Sequence, residues 1–367
     1  MADIVITERR DMEDYSIMRA EAVSEDGVTL SGGTFQFVQS SYGKGRIKTL
    51  LAGGIGTPVQ YRRGGNVRRM FDVMHNMAAE EGAAVALLHP FSFAYYRQFG
   101  YEKVSDHMIV RCPTRCIDFV PRICHFMPYD DSRLDDLIKV YERFSKGRNL
   151  LLPRFDAKNY SSADKQVYVC YKEGEPIAYI VYSAHSRLIV NHLGDGLLTV
   201  HELAYTSPEA LREIFSFLRM FEGEFDEIEF SNIAMCPEVE MLLRHYTHTT
   251  YTLVPDIMAR VLNTEALLLA NDYPAREGAF TVSVEDGMDT VAGTYRVEFG
   301  GGDCSVALVT GAADLTLSAP AFIRLAYGYD GANADSARYM DGVQIDGNAD
   351  DFFRAFPKKP CGVFEHF

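Results

Sequence analysis

The sequence predicts an α+β fold in which two similar units of strands and helices are followed by a smaller α+β domain. Three observations support this prediction. The first third of the chain has the order strand, turn, helix, strand; the middle third repeats the order; and after about Asn263 short alternating strands are separated by Gly-rich turns. A chain of 367 residues exceeds one typical domain, so two or three domains are expected.

The first third of the chain contains two predicted strands with a predicted helix between them. "IKTLLAGGIGTP" predicts a strand, and "AAVALLHP" is a continuous apolar run typical of a buried strand. Between them, apolar residues recur at helical spacing from Val67 to Met77, and Gly82 ends the helix. This order places the intervening turn at the N-terminus of a helix, where unpaired N–H groups and the helix dipole favour a phosphate.

The intervening turn is basic although the chain is acidic. The chain has 51 Asp and Glu against 36 Lys and Arg and a formal net charge of −15, which argues against nucleic acid as a partner and favours a cationic substrate. Yet "RRGGNVRR", from Arg62 to Arg69, sets four arginines around two glycines. Basic residues at a helix N-terminus oppose the dipole, so the cluster indicates a bound anion such as a pyrophosphate. An ordinary basic helix start at a surface is the alternative.

The middle third of the chain lacks the basic turn. "DDSRLDDLIKVYERF" predicts an amphipathic helix, and a hairpin around Glu173 and Gly174 follows it. Then "LTVHELAY", "PEALREIFSFLRMF" and "DEIEFSNI" predict a strand, a helix and a strand, with Ser207 as N-cap and Pro208 at the first helical position. No arginine or glycine occupies this strand-to-helix junction, so we expect the same fold without a phosphate site.

The C-terminal segment predicts a small α+β domain. "GAFTVSVED", "TYRVEFGGGDCSVALV" and "DLTLS" are typical of short alternating strands, and Gly300–Gly302 is typical of a hairpin turn. Helices are predicted at "APAFIRLAYG" and "NADDFFRAF".

Several composition signals bear on location and metals. No uncharged apolar run approaches the ~20 residues of a membrane span, and the N-terminus lacks the pattern of a signal peptide. Seven cysteines without a Cys-x-x-Cys pair predict reduced thiols. His245 and His248 are three residues apart, but no third ligand is near, so no metal is predicted. We therefore expect a cytoplasmic protein without a membrane partner.

Two motifs carry a resemblance to a known family. "YRRGGNVRRMF" and "AAVALLHPFSFAYYRQFGYE", at this spacing, resemble the acyl-CoA motif region of the GNAT N-acetyltransferases. Within these, they are similar to the enhanced-intracellular-survival family of aminoglycoside and lysine N-acetyltransferases. The signature Arg-x-x-Gly-x-Gly/Ala appears as residues 62–67, with Val67 at its last position. The resemblance covers the whole chain and implies tandem GNAT domains at 1–122 and 123–263, each a mixed twisted sheet with helices on both faces. The second of these is degenerate, and a small α+β domain similar to sterol carrier proteins follows at 264–367.

The resemblance implies acetyl-CoA as co-substrate and indicates which residues bind it. The contacts to the pantetheine arm and thioester, the pyrophosphate loop and a further contact after the next strand correspond to Ile55, Gly56, Thr57, Arg62, Arg63, Gly64, Gly65, Asn66, Val67, Arg68, Phe91 and Ser92. The resemblance also implies Tyr96 as general acid and the terminal carboxylate of Phe367 as general base. "KKPCGVFEHF" would then return to the first domain as a final strand, with Phe364 and Phe367 buried. The helical region that walls the family's acceptor site would come from "DMEDYSIMRAEAVSEDG".

The residues alone leave other interpretations open. Without the resemblance, Tyr96 is typical of an aromatic core helix, and His89 of a structural histidine at a strand end.

For the whole chain, the resemblance implies an acetyl-CoA-dependent N-acetyltransferase whose acceptor is an aminoglycoside, polyamine or lysine-like amine that attacks the thioester directly. The alternative is a non-catalytic acyl-CoA-binding sensor or assembly protein. A lipid carrier is disfavoured because the C-terminal segment lacks long apolar stretches. The resemblance also implies a homo-oligomer, and a hexamer is typical of the family.

Overall fold

The chain divides into two compact units, each built from discontinuous stretches of sequence. A computed structural model describes residues 2–118, 121–156, 158, 160, 164–185 and 196–367. One unit comprises the residues up to 105 together with 149–152 and 256–367, and the other comprises 106–148 and 153–255. The domain limits predicted above follow chain order, and they stay a prediction.

The strands and helices have the following bounds. The strands are β1 Asp3–Asp11, β2 Ser16–Val23, β3 Thr29–Tyr42, β4 Gly45–Gly56, β5 Val85–Leu88, β6 Glu102–Lys103, β7 Asp106–Pro113, β8 His125–Pro128, β9 Gln166–Lys172, β10 Glu175–His185, β11 Leu197–Tyr205, β12 Glu227–Phe230, β13 Thr250–Pro255, β14 Met258–Val261, β15 Gly278–Glu285, β16 Gly293–Gly300, β17 Asp303–Val309, β18 Leu315–Ser318 and β19 Val343–Ile345. The helices are α1 Asn66–Glu80, α2 Phe93–Arg97, α3 Leu134–Phe144, α4 Pro208–Arg219, α5 Glu238–Met241, α6 Thr264–Ala270, α7 Ala319–Tyr327, α8 Ala334–Ala337 and α9 Asp350–Ala355. Each strand and helix predicted from the quoted stretches is present, apart from the two cases corrected below.

The first unit contains a mixed sheet with the order β1-β2-β3-β4-β5-β14-β6. Its single parallel pair among the described strands joins β4 to β5, and α1 connects them, as the strand, turn, helix, strand order predicts. The apolar face of α1 is buried against this sheet through Val67, Met70, Phe71 and Met74. This packing fixes the N-terminus of α1, and with it the basic turn, beside the end of β4.

The segment expected to supply a helical wall is instead a β-hairpin. β1 and β2 pair antiparallel, and the turn between them is closed by the N–H of Met12, which donates to the carbonyl oxygen of Tyr15 at 2.8 Å. Along β2 the apolar side chains of Met18, Ala20 and Ala22 are buried at alternate positions, which is the period of a strand and not of a helix. The expectation of helices here is therefore wrong.

The second unit repeats the layout of the first. Its sheet has the order β13-β7-β12-β11-β10-β9-β8, and β11 runs parallel to β12 with α4 between them. Ser207 caps α4 by accepting a hydrogen bond from the N–H of Ala210 at 3.2 Å, and Pro208 is the first helical residue, as predicted. Strand β7 lies in this sheet, antiparallel to both β12 and β13.

A third sheet belongs to the first unit and has the order β17-β16-β15-β18-β19. Its hairpin between β16 and β17 turns through Gly301 and Gly302, whose φ angles of 63° and 89° lie in the left-handed region that favours glycine. Helices α7 and α9 bury Phe322 and Phe352 in the core that includes Phe280 of this sheet. The α+β character of this part is as predicted, while its likeness to sterol carrier proteins stays a prediction.

The C-terminal tail is not the predicted strand. Residues 357–367 form no regular element, and the described tail joins the rest of the chain by a parallel bridge between Asn149 and Cys361. Pro357 and Pro360 lack the N–H groups that a strand would donate, which explains the irregular backbone. Phe364 and Phe367 are only partly buried, so the expectation of two buried anchors is also wrong. Among the described residues, no helix is long and apolar enough to cross a bilayer.

Candidate active site

The end of β4 is open on one side. β4 pairs with β5 only over Thr49, Leu50 and Leu51, while its pairing with β3 extends to Gly56. Gly54 has a φ of 59°, and the register with β3 shifts nearby. The backbone groups of β4 beyond Leu51 that face β5 therefore have no partner among the strands that the structure describes, and they can bind an extended ligand by main-chain hydrogen bonds.

A cleft of about 750 Å³ lies at this opening in the first unit. It is lined by Ile55, Gly56, Thr57, Tyr61, Arg62, Arg63, Gly64, Gly65, Asn66, Val67, Arg68, Phe91, Tyr95, Gln98 and Phe99. These residues include three arginines and no acidic side chain, so the cleft is positively charged in a protein whose net charge is −15. Every predicted cofactor-binding residue except Ser92 lines it.

The basic turn has an unusual backbone. Arg63 has a φ of 67° and Gly65 a φ of 73°. A non-glycine residue in this region carries conformational strain of the kind that is concentrated at functional sites. Gly65 is the N-cap of α1, no side chain caps this end, and the helical hydrogen bonds begin with the N–H of Arg69 donating to Gly65 at 3.2 Å. The N–H groups of the first turn are thus left for an anion or water.

Two of the three cleft arginines are held by neutral partners. Nε of Arg62 donates to the carbonyl oxygen of Thr57 at 3.3 Å. The guanidinium of Arg68 donates to the backbone and side-chain oxygens of Gln98 at 3.2 and 3.1 Å and lies 5.1 Å from the ring centre of Phe99. Arg63 forms no side-chain hydrogen bond or ion pair with any residue that the structure describes. No described carboxylate neutralises these three cations, which is the electrostatic setting for a polyanion.

Tyr96 lies behind the cleft wall. It is in α2, whose N-cap Ser92 accepts a hydrogen bond from the N–H of Tyr95 at 3.3 Å. The Tyr96 ring is 5.3 Å from those of both Phe91 and Tyr95, and the side chain is only 4% exposed. Burial raises the pKa of Tyr96 to about 12. The phenol is therefore protonated at neutral pH and can donate a hydrogen bond.

The terminal carboxylate lies against β4. A Cβ atom built on Gly53 would lie 3.1 Å from both the carboxyl carbon and the oxygen of Phe367. Gly53 is two residues beyond Leu51, the last residue of β4 that pairs with β5. The structure thus brings the last residue of the chain to the open end of the strand that lines the cleft, although neither Phe367 nor Tyr96 is among the lining residues.

The comparisons with known proteins agree with this geometry. Residues 22–104 match one family model described as an acetyltransferase (GNAT) domain, and residues 149–261 match a second model of the same description. The chain carries two GNAT acetyltransferase domains. GNAT domains use acetyl-CoA as co-substrate. No curated protein sequence matches the chain.

Several solved structures share the fold over nearly the whole length of this chain. A GCN5-related N-acetyltransferase from Anabaena variabilis is 16% identical with a TM-score of 0.81, over 97% of this chain and 90% of that chain. Eis1 from Mycobacterium abscessus is 17% identical with a TM-score of 0.82, over 100% of both chains. A probable N-acyltransferase from Enterococcus faecalis is 16% identical with a TM-score of 0.79, over 96% of this chain and 89% of that chain. At these identities the likeness shows the fold alone.

Some residues around the GNAT cleft were not predicted from the sequence. Tyr61, Tyr95, Gln98 and Phe99 line it, and the contact between Arg68 and Gln98 holds its wall. Three of these four stand in "FSFAYYRQFGYE", so that motif held the signal, but nothing in it says which aromatic side chains face the cleft. No group of three or more metal-binding side chains occurs within the described part of the chain.

Proposed function

We propose that the protein transfers the acetyl group of acetyl-CoA to an amine of a cationic acceptor, and that the first GNAT domain carries the reaction. The observation that carries this proposal is the cleft at the open end of β4, with three arginines, an uncapped helix N-terminus and no acidic residue. Acetyl-CoA fits this distribution of charge, because its pyrophosphate is anionic and its pantetheine arm is long and neutral.

The basic turn would hold the pyrophosphate. Arg63 is the first candidate because its guanidinium has no partner among the described residues, and the N–H groups around Gly65 add backbone donors. Ile55 and Gly56 lie on the part of β4 that β5 leaves open, and Thr57 follows directly, so their backbone groups would pair with the amides of the pantetheine arm. Phe91, 74% exposed at the other wall, would cover that arm.

Tyr96 would act as the general acid. The acceptor nitrogen attacks the thioester carbonyl carbon, and the carbon–sulfur bond then breaks with the electron pair going to sulfur. With a phenol pKa of about 12 and a thiol pKa of about 8.5, complete proton transfer from Tyr96 to the free thiolate would be uphill by about 5 kcal/mol. Tyr96 would therefore help by a hydrogen bond to sulfur as the bond breaks.

The carboxylate of Phe367 would serve the acceptor. An amine with a pKa near 10 arrives as an ammonium ion and must lose a proton before it can attack. A carboxylate beside β4 would attract the ammonium, hold it near the thioester and take up the proton, directly or through water. A free α-carboxyl has a pKa of about 3.5, so the positioning of the ammonium is the larger part of this role.

A second candidate function follows from the hairpin between β1 and β2. In place of a helical wall for an acceptor, the chain turns directly from one strand to the next through residues 12–15. This favours, as the alternative, a non-catalytic acyl-CoA-binding sensor or assembly protein. The homo-oligomer and the cytoplasmic location inferred from the sequence stay predictions.

The experiment that separates the two functions is release of the coenzyme A thiol from acetyl-CoA in the presence of a panel of amines. The panel contains polyamines, aminoglycosides and lysine peptides, and the Tyr96→Phe variant is the matched control. Acceptor-dependent thiol release that is lost in the control supports the transferase. Tight acetyl-CoA binding without thiol release on any amine supports the sensor.

A further inference from the structure

We propose that His89, oriented by Asp256, is a positioning residue that fixes the C-terminal tail so that the Phe367 carboxylate lies against β4. The proposal rests on the proposed function, because it is that function which gives the terminal carboxylate a use. Sequence reasoning alone treats His89 as a structural histidine at a strand end.

The contacts of His89 connect the end of β5 with the tail. Its Nε2 lies 3.2 Å from the carbonyl oxygen of Glu365, and its Nδ1 lies 3.2 Å from a carboxylate oxygen of Asp256. The ring also contacts the rings of His366 and Phe367, with centres 4.8 and 4.6 Å away. One side chain therefore contacts each of the last three residues of the chain.

The two polar partners of His89 are both acceptors. A carboxylate and a carbonyl oxygen can only accept hydrogen bonds, whereas a neutral imidazole has one donor and one acceptor nitrogen. The Nε2–H of His89 is therefore the donor to the carbonyl oxygen of Glu365, and the Asp256 carboxylate lies against the other ring nitrogen.

A backbone hydrogen bond holds Asp256 in place. It lies between β13 and β14, and its N–H donates to the carbonyl oxygen of Ser105 at 3.1 Å. The Asp256 and His89 side chains are 12% and 20% exposed, so solvent has limited access to their contact. This arrangement gives the imidazole one orientation, with Nε2–H aimed at the tail.

The contact between His89 and the backbone of Glu365 limits the positions that the terminal carboxylate can occupy. The terminal carboxyl group is two residues further along, and a chain reaches at most about 3.5 Å per residue. Gly53 lies directly against this carboxyl group, since a Cβ atom there would be 3.1 Å from its carbon. His89 and Gly53 thus restrict the last residues from two directions, which a freely moving terminus would not show.

The direct test is the rate at which a carboxypeptidase specific for aromatic residues removes Phe367 from the full-length protein, followed by intact mass. Release requires the tail to open, so its rate reports the open population. We expect His89→Ala and Asp256→Asn each to raise the rate at least tenfold, with the melting temperature and the Kd for acetyl-CoA unchanged. His89→Gln, which keeps a donor near the position of Nε2, should restore part of the protection.

The controls separate a positioning role from a loss of stability. His125→Ala removes an exposed histidine of β8 and should leave the rate unchanged. Because Asp256 acts through His89, Asp256→Asn should add no further acceleration in the His89→Ala background. Release at the wild-type rate in both single variants would overturn the proposal.

Steady-state kinetics of the same variants test the proposed function independently of the positioning role of His89. If the tail is released faster and kcat for acetyl transfer falls while the KM for acetyl-CoA holds, both the positioning role and the use of the carboxylate are supported. If the tail is released faster while kcat is unchanged, the positioning role stands and the assignment of the carboxylate to catalysis is wrong.

Discussion

Gly53 and Phe367, far apart in the sequence, are in close contact: a Cβ atom on Gly53 would lie 3.1 Å from the carboxyl carbon of Phe367, closer than ordinary van der Waals contact. Gly53 is in β4, the strand whose residues Ile55 and Gly56 line the cleft. This contact links the predicted acyl-CoA site with the predicted base, and it gives a substitution that tests their cooperation.

Gly53→Ala should displace the carboxylate by a few tenths of an ångström without changing any polar group. We expect kcat to fall about tenfold, since catalysis is sensitive to small misplacements of a positioned group. The Kd for acetyl-CoA should change little. Gly45→Ala, in the same strand with open space around its added Cβ, is the control. Steady-state kinetics of both variants check this, and equal kcat values for them would contradict it.

Tyr96→Phe should keep acetyl-CoA binding and lose at least about a hundredfold in kcat, because the phenol is the proposed donor to sulfur. Tyr95→Phe is the matched control, since Tyr95 is adjacent and lines the cleft. We expect a much smaller effect there. Calorimetric titration and thiol release measure the two quantities, and similar losses of kcat at both tyrosines would refute the assignment.

The pH dependence of kcat should show no alkaline limb from Tyr96 up to pH 10. Burial raises the pKa of this phenol to about 12, so the donor form persists below that value and is lost only as the pH rises through it. The profile is measured with saturating acetyl-CoA and acceptor. A decline near pH 10 that disappears in Tyr96→Phe would show that the phenol ionises too early for this account.

Arg63→Ala should weaken acetyl-CoA binding by about tenfold to a hundredfold, as expected for the loss of one charge-assisted phosphate contact of about 1.5–3 kcal/mol. Gly65→Asp should do at least as much, because it places a carboxylate at the proposed anion site and a side chain at a φ of 73°. Arg276→Ala, an exposed arginine outside the cleft, should leave the Kd unchanged. Unchanged affinity in the first two variants would mean that the turn does not bind the pyrophosphate.

The basic turn could be predicted because its signal is local. The four arginines, the two glycines and the helix that follows lie within residues 62–80, so sequence spacing determines their arrangement. The same holds for the Ser207 cap of α4. The left-handed φ of Arg63 could not be predicted, because it depends on how the turn is held between β4 and α1.

The wrong predictions arose where the local residue pattern was set aside. Contacts between residues far apart in the sequence could not be predicted at all. Met18, Ala20 and Ala22 alternate with polar residues and so indicate a strand, but the resemblance favoured a helical wall. The contacts of His89 with Asp256 and with the tail join residues far apart in the sequence, and no local pattern encodes them. The prolines of the tail were a local signal against a final strand that the prediction did not use.

The central claim is that the acyl-CoA cleft and the terminal carboxylate act together, and it is tested most directly by extending the C-terminus. One alanine added after Phe367 moves the carboxylate while every native side chain stays, and the same alanine added at the N-terminus is the control. The account predicts that the C-terminally extended protein folds, binds acetyl-CoA with an unchanged Kd and loses at least about a hundredfold in kcat on its best acceptor. Full kcat in that protein would contradict the role of the terminal carboxylate.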